Sequence, residues 1–256
     1  VKLTLPPVKH TTQRAPINNI CSTHTENCNC RHNSHSRRLL LGQALVAAAC
    51  AGTGWLRHQT SLSAAVNLHT TFSNTAPADI GPAEALKKLY QGNQRFASGK
   101  PLAENRDMDQ VRALAAGQKP FAAFLGCADS RVPIEIVFDQ GFGDVFVTRI
   151  AGNVACSENI GSLEFGTRIL DAKVLHVLGH TECGAVQATM KGDEVPGQIS
   201  GLFQYIRPAV RQAADLTAAV NQNVRNQALL LAESSPVIGK LVREKELIIA
   251  VVELGI

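Results

Sequence analysis

Phe121-Ala122-Ala123-Phe124-Leu125-Gly126 is a short, continuous apolar run that breaks abruptly into Cys127-Ala128-Asp129-Ser130-Arg131. A run of that length without polar alternation suits a strand buried on both faces, as in a parallel sheet covered by helices. The type recurs at Val145-Phe146-Val147-Thr148, at Val174-Leu175-His176-Val177-Leu178 and over 247–254. Helical stretches separate these runs at 160–170, 184–190, 202–215 and 220–233. Upstream, Pro82 followed by Glu84, Leu86, Leu89, Tyr90 and Phe96 reads as a helix opened by proline and closed near Gly99. A second helical segment, 107–116, is ended by Gly117 and Pro120. Strands alternating with helices predict one α/β domain over 79–256, a mostly parallel central sheet flanked by helices.

Composition agrees and narrows the field. Of the 256 residues 45% are apolar and 18% charged, which excludes collagen, coiled coil and global disorder. No apolar run approaches the roughly 18 residues of a membrane-crossing helix, so stable membrane insertion is not expected. The net charge of +4 is unevenly placed: residues 1–78 hold seven basic residues and one acid, Glu26, leaving the rest of the chain at −2. The basicity belongs to the leader, and nucleic acid is not implied.

That leader, rich in Ser, Thr and Asn, resembles an organellar transit peptide and is expected to be disordered or cleaved. Within it, Arg37-Arg38 precedes an apolar stretch over 42–51, similar to a twin-arginine export signal. A transit-like segment before such a signal resembles the two-part presequence of thylakoid-lumen proteins, which predicts a chloroplast address; a bacterial periplasmic address is the alternative. Cys28-Asn29-Cys30, with His24, His32 and His35 nearby, is a poor zinc site, because ligands one residue apart do not suit one tetrahedral ion.

In open parallel sheets ligands collect at the carboxyl ends of the strands. Two predicted strands end in unusual polar sequence: Cys127-Ala128-Asp129-Ser130-Arg131 and His180-Thr181-Glu182-Cys183-Gly184. If those strands are neighbours, Cys127, His180 and Cys183 converge. Two thiolates and an imidazole suit tetrahedral zinc, and three protein ligands leave the fourth position open for catalysis. Cys183 would start a helix, where the dipole favours thiolate. Arg131 can grip Asp129 bidentately and keep it ionised. Asp129 then either takes the fourth zinc position or accepts a hydrogen bond from zinc-bound water.

The segments Cys127-Ala128-Asp129-Ser130-Arg131-Val132 and His180-Thr181-Glu182-Cys183-Gly184-Ala185 resemble the two signature motifs of the β-class carbonic anhydrases. Residues 143–154 are similar to the family's central strand and following loop, and Gly92-Asn93-Gln94-Arg95-Phe96 with Gly99-Lys100-Pro101 to its amino-terminal helix. The resemblance implies zinc (Zn2+) on Cys127, His180 and Cys183, an Asp129–Arg131 pair at the metal, and a homodimer or higher homo-oligomer with sites at the subunit interface. Gln140 resembles a glutamine that positions substrate. The implied reaction is reversible hydration of carbon dioxide to bicarbonate and a proton by zinc-bound hydroxide.

His176, four residues before His180 and so on the same strand face, reads as a packed histidine rather than a proton shuttle. Cys156 reads as a structural thiol. Alternatives on the same scaffold are a carbonyl sulfide or carbon disulfide hydrolase, or a non-catalytic zinc-binding assembly subunit. Where the family continues past its last strand with Tyr-Asp-Leu and a closing segment, this chain has Val251-Val252-Glu253-Leu254, so an edge strand is expected to be missing.

Overall fold

The computed structural model describes residues 80–211 and 213–255. The targeting reading of residues 1–78 lies outside them. Helix α1 (Pro82–Ala97) opens with proline at its first position and buries Ala85, Leu89, Gly92 and Asn93, one stripe at helical spacing. Helix α2 (Met108–Ala113) is capped by Asp107, whose carboxylate accepts from the Gln110 N–H at 2.8 Å. Strand β1 (Ala122–Gly126), a single short turn α3 (Ile134–Val137) and strand β2 (Val145–Arg149) follow. Then come helix α4 (Ser157–Glu164), continued by a wider π turn over Phe165–Ile169, and strand β3 (Val174–His180). Helices α5 (Gly184–Lys191), α6 (Ile199–Val210), α7 (Leu216–Ser234) and α8 (Pro236–Arg243) precede strand β4 (Ile248–Leu254).

All strand pairings are parallel, in the order β2-β1-β3-β4. The fold class expected from the alternating pattern is the one observed. β1 and β3 occupy the middle and are buried throughout, whereas β2 and β4 are edges. Period-two alternation sends Phe124, Val174, Leu178 and Val252 to one face with Leu89 and Phe138. It sends Leu125, Leu175 and Val177 to the other face, against Leu163, Val224, Leu231 and Ile238. Full burial of each large side chain contributes about 1.5–3 kcal/mol. No helix among the described residues is long and apolar enough to cross a membrane.

The helix boundaries differ from expectation for local reasons. Asp215, expected to end one helix, instead caps the next by accepting from the Ala218 N–H at 2.7 Å, so α6 stops at Val210 and α7 starts at Leu216. Ser235-Pro236 opens α8, which was not anticipated: Ser235 Oγ accepts from the Ile238 N–H at 3.0 Å and donates to Glu164 at 2.6 Å. Asp139, also unforeseen, binds Arg95 at 2.7 Å and Arg106 at 3.3 Å, and accepts from the Leu102 and Ala103 N–H groups. It ties α1 and the segment before α2 to the turn after α3.

His176 is fully buried, stacked on Phe124 with ring centroids 5.1 Å apart and edge-on to Phe138 at 5.3 Å. Neither ring nitrogen has a hydrogen-bond partner, and burial pushes its pKa down to about 3. The unfolded chain therefore takes up a proton near pH 6.5 that the folded chain refuses until about pH 3. Stability from this group is complete above pH 6.5 and is lost as pH falls toward 3. Comparing urea unfolding at pH 7.5 and pH 5, the native chain should lose about 2 kcal/mol more than His176→Leu does. Equal losses would mean that the imidazole is protonated in the fold.

Candidate metal centre

The chain leaves β1 toward β2 on one side and returns through β3 on the other, so the carboxyl ends of β1 and β3 flank the crevice where the connections diverge. Their register pairs Gly126 with Leu178. Cys127 is the first residue beyond β1, His180 the last of β3, and Cys183 the cap residue of α5. All three are buried, and their ligand atoms lie within 4.8 Å of one another. The two sulfurs are 4.0 Å apart. Two sulfurs on a tetrahedral zinc, each at about 2.3 Å, would stand roughly 3.8 Å apart.

His180 is oriented by its own loop. Nδ1 lies 2.9 Å from the Thr181 carbonyl, which can only accept, so Nδ1 carries the proton and the Nε2 lone pair is left for another partner. Nε2 is buried and makes no hydrogen bond. Burial lowers the pKa of His180, but the Cys127 sulfur, the Thr181 carbonyl and Asp129 together raise it above the ordinary value. The bond with Cys183 holds the Cys127 thiol low against the opposing effect of burial, with His180 and the backbone N–H groups of Asp129 and Gly152 adding to it. Cys183 is pushed up by the same bond and by burial. Two buried sulfurs and an orphaned imidazole nitrogen that converge on one point fit zinc.

Asp129 and Arg131 sit in the turn after Cys127. Asp129 Oδ1 accepts from the Arg131 backbone N–H at 2.9 Å, closing a local Asx turn. Arg131 Nε and an Nη donate to the two carboxylate oxygens at 3.0 and 2.8 Å, the bidentate fork expected. That fork holds the Asp129 carboxyl well below the usual carboxylate range. A further Arg131 bond, 3.0 Å to the Glu182 carbonyl, joins the turn after β1 to the turn after β3. Asp129 Oδ2 lies 3.8 Å from His180 Nε2, so the carboxylate borders the metal cluster.

Two further groups support the cluster. Arg149, at the end of β2, donates to the Cys127 carbonyl at 2.9 Å and to the Asp129 carbonyl. Its place at the carboxyl end of a parallel strand was the available signal. The Gly152 N–H lies 3.3 Å from the Cys127 sulfur. Gly152 has φ +74, and a Cβ there would stand 2.6 Å from Ile206, so both conformation and space call for glycine. Gln140 is buried in the Asp139 turn, its Nε2 donating to the Phe138 carbonyl at 2.7 Å while its own carbonyl accepts from Arg106 at 3.1 Å. Within this chain these bonds hold its amide against its own turn. Cys156 is a half-buried free thiol.

A family model described as carbonic anhydrase matches residues 122–255. Carbonic anhydrase 2 of Mycobacterium tuberculosis is 45% identical over 136 residues, 53% of this chain and 64% of that protein. Beta carbonic anhydrase 5, chloroplastic, of Arabidopsis thaliana is 31% identical over 174 residues, 62% of this chain and 58% of that protein. The chain thus spans less than two thirds of each of these relatives. Among solved structures, the fold resembles a tetrameric beta-carbonic anhydrase of Sordaria macrospora, with a TM-score of 0.54 at 20% identity, covering 68% of this chain and 90% of the other.

Replacing a thiolate by a hydroxyl removes a soft ligand that zinc prefers. Cys127→Ser and Cys183→Ser should each weaken zinc binding by more than about 100-fold, beyond what loss of an outer hydrogen-bond partner costs. Metal content after dialysis against a chelator measures this. Full zinc retention in either variant would remove that residue from the ligand set.

Proposed function

The chain belongs to the β-carbonic anhydrase family, and from that premise we propose that it catalyses the reversible hydration of carbon dioxide to bicarbonate and a proton. Cys127, His180 and Cys183 would hold the family's zinc. The observation that carries the reading is an Arg-gripped carboxylate 3.8 Å from the orphaned Nε2 of a buried Cys–His–Cys cluster. A purely structural zinc has no need of that pair. When bound, zinc supplies the Lewis acidity that lets water ionise near neutral pH.

The side chains set the geometry. Asp129, kept ionised by Arg131, acts only as an acceptor and orients the attacking water by taking a hydrogen bond from it. With both oxygens committed to the Arg131 fork, Asp129 suits this role better than that of a fourth ligand. Arg149 fixes the carbonyls on either side of Ala128 and so fixes where the Asp129 turn stands relative to Cys127. Among the described residues His176 is the other histidine, and it is sealed between two phenylalanine rings with its pKa near 3. The released proton therefore goes to water or buffer at the Asp129 side of the site, where the carboxylate is partly exposed.

We infer a homodimer or larger homo-oligomer, in line with the Sordaria enzymes whose structures are described as tetrameric; light scattering on the active preparation reads it. We also infer delivery to the thylakoid lumen, supported by the +6 leader with Arg37-Arg38 and by an Arabidopsis relative named as chloroplastic. Replacing Arg37-Arg38 by Lys-Lys should leave activity intact and abolish delivery, scored by fractionation against a lumenal marker. Unchanged delivery would sink the twin-arginine reading.

Stopped-flow carbon dioxide hydration, with zinc measured on the same sample, tests the activity. Asp129→Ala and Arg131→Ala should keep zinc yet lose on the order of 10²-fold in kcat/KM, the scale of a misplaced reactant. Parental rates in both zinc-loaded variants would take the pair out of catalysis, and absence of hydration by the zinc-loaded native chain would overturn the proposed activity.

A further inference from the structure

Helix α7 carries two amides, Asn223 and Gln227, at 0% and 1% exposure in a face otherwise built of Ala219, Val220, Val224, Ala228 and Leu231. Buried amides cost stability unless their hydrogen bonds are made. These two are four residues apart on one helix face and are bonded to each other, Gln227 Nε2 donating to Asn223 Oδ1 at 3.0 Å. Their remaining bonds run outward. Gln227 Oε1 accepts from the Ala155 N–H at 2.8 Å, and Gln227 Nε2 also donates to the Tyr205 carbonyl at 3.1 Å. Asn223 Nδ2 donates to the Gly152 carbonyl at 2.9 Å and reaches Asn153 Oδ1 at 3.5 Å.

Backbone groups at both ends fix the direction of this chain. The Ala155 N–H can only donate, so Gln227 must present oxygen to it and nitrogen to Asn223. Asn223 must then present oxygen to Gln227 and nitrogen to the Gly152 carbonyl, which can only accept. Neither amide can flip without placing like groups together at two positions. The helix reaches the loop because Gly179 in β3 has no side chain: a Cβ there would run into Val224. The loop needs such support, since Gly152 and Asn153 both sit at positive φ, +74 and +44. Gly152 is also the residue whose N–H points at the Cys127 sulfur, 3.3 Å away.

We infer that Asn223, oriented by Gln227, is a positioning residue for the metal centre: it holds Gly152 so that its N–H stays hydrogen-bonded to the Cys127 sulfur and sets the electron density which that sulfur offers the metal. The inference rests on reading Cys127, His180 and Cys183 as the metal ligands. An N–H donor draws charge from a thiolate and fixes its direction, and partners of this outer kind change metal affinity by about 10–100-fold when removed. Among the described residues neither amide hydrogen-bonds to Cys127, His180 or Cys183, and Asn223 stands 71 residues from Gly152 in sequence.

Cobalt(II) substitution reads the sulfur directly, through its sulfur-to-metal charge-transfer absorption. Asn223→Ser leaves space for water and avoids an apolar group against the Gly152 carbonyl; Gln227→Leu cuts the same chain one link back. Both should shift the charge-transfer band to lower energy, because a sulfur without its N–H donor gives up an electron more easily. Both should also lose zinc to a competing chelator about 10-fold more readily. Asn159→Ala removes a different support of the same loop, the bond from Asn159 Nδ2 to the Val154 carbonyl at 3.0 Å. It should lower thermal stability while leaving band and affinity at parental values. A folded Asn223→Ser with parental band and affinity overturns the inference, as does an equal shift in Asn159→Ala. If the parent chain binds neither metal, the metal reading itself falls and takes the inference with it. That result is distinct from a parent that binds both and variants that match it.

Discussion

Everything at the metal centre depends on the parallel pairing of β1 with β3, with Phe124 opposite His176 and Gly126 opposite Leu178. In that register the chain runs out of β1 into Cys127 just where β3 ends in His180. Side chains alternate faces along a strand, so a slip of one residue would turn His180 from the ligand cluster and His176 out from between Phe124 and Phe138. The register is pinned by burial: Phe124, Val174 and Leu178 must face one helix layer, Leu125, Leu175 and Val177 the other. Hydrophobic packing thus places the ligands, and chemistry enters only where the strands stop.

At those strand ends two sulfurs and an imidazole converge beside a carboxylate. Arg131 and Arg149 turn their donors to Asp129 and to carbonyl oxygens of the surrounding turns. The bond between the sulfurs lowers the Cys127 thiol and raises that of Cys183, and at His180 burial is outweighed by the Cys127 sulfur, the Thr181 carbonyl and Asp129. A divalent cation would engage Cys127, His180 and Cys183 at once, while the two arginines hold the surrounding turns. The charge of Asp129 is balanced by Arg131 from outside the cluster, which suits the water-orienting role proposed for it.

Much of this was legible in the sequence, because the informative residues stand beside unambiguous local signals. Four apolar runs marked the strands, and Cys127 and His180 stood at the ends of two of them. What was missed depends on packing that has no local signature. Asp215 and Ser235-Pro236 carry ordinary helix-start chemistry, yet the surrounding apolar pattern runs through them and blurs the boundaries. Arg149 looks in sequence like any charged residue after a strand, and its partners are carbonyl groups 20 and 22 residues away. Asn223 and Gln227 interrupt a helix stripe, and only the packed loop explains why amides occupy it. Gln140 was singled out by motif resemblance, which says nothing of its bond to the Phe138 carbonyl.

The two histidines of β3 show how position decides what a side chain can do. Both lie on one strand face, four residues apart, and both are almost wholly buried. His176 meets only aromatic and apolar surfaces, so burial acts alone and holds it neutral far below its ordinary pKa. His180 meets a carbonyl on one nitrogen and a sulfur and a carboxylate on the other side, so the same burial is outweighed. An imidazole becomes a ligand here because the strand ends at it: the chain turns away, two loops supply oppositely charged or accepting groups, and the Nε2 lone pair is left facing them. Moving the same residue four positions back along the strand leaves it with packing as its whole role.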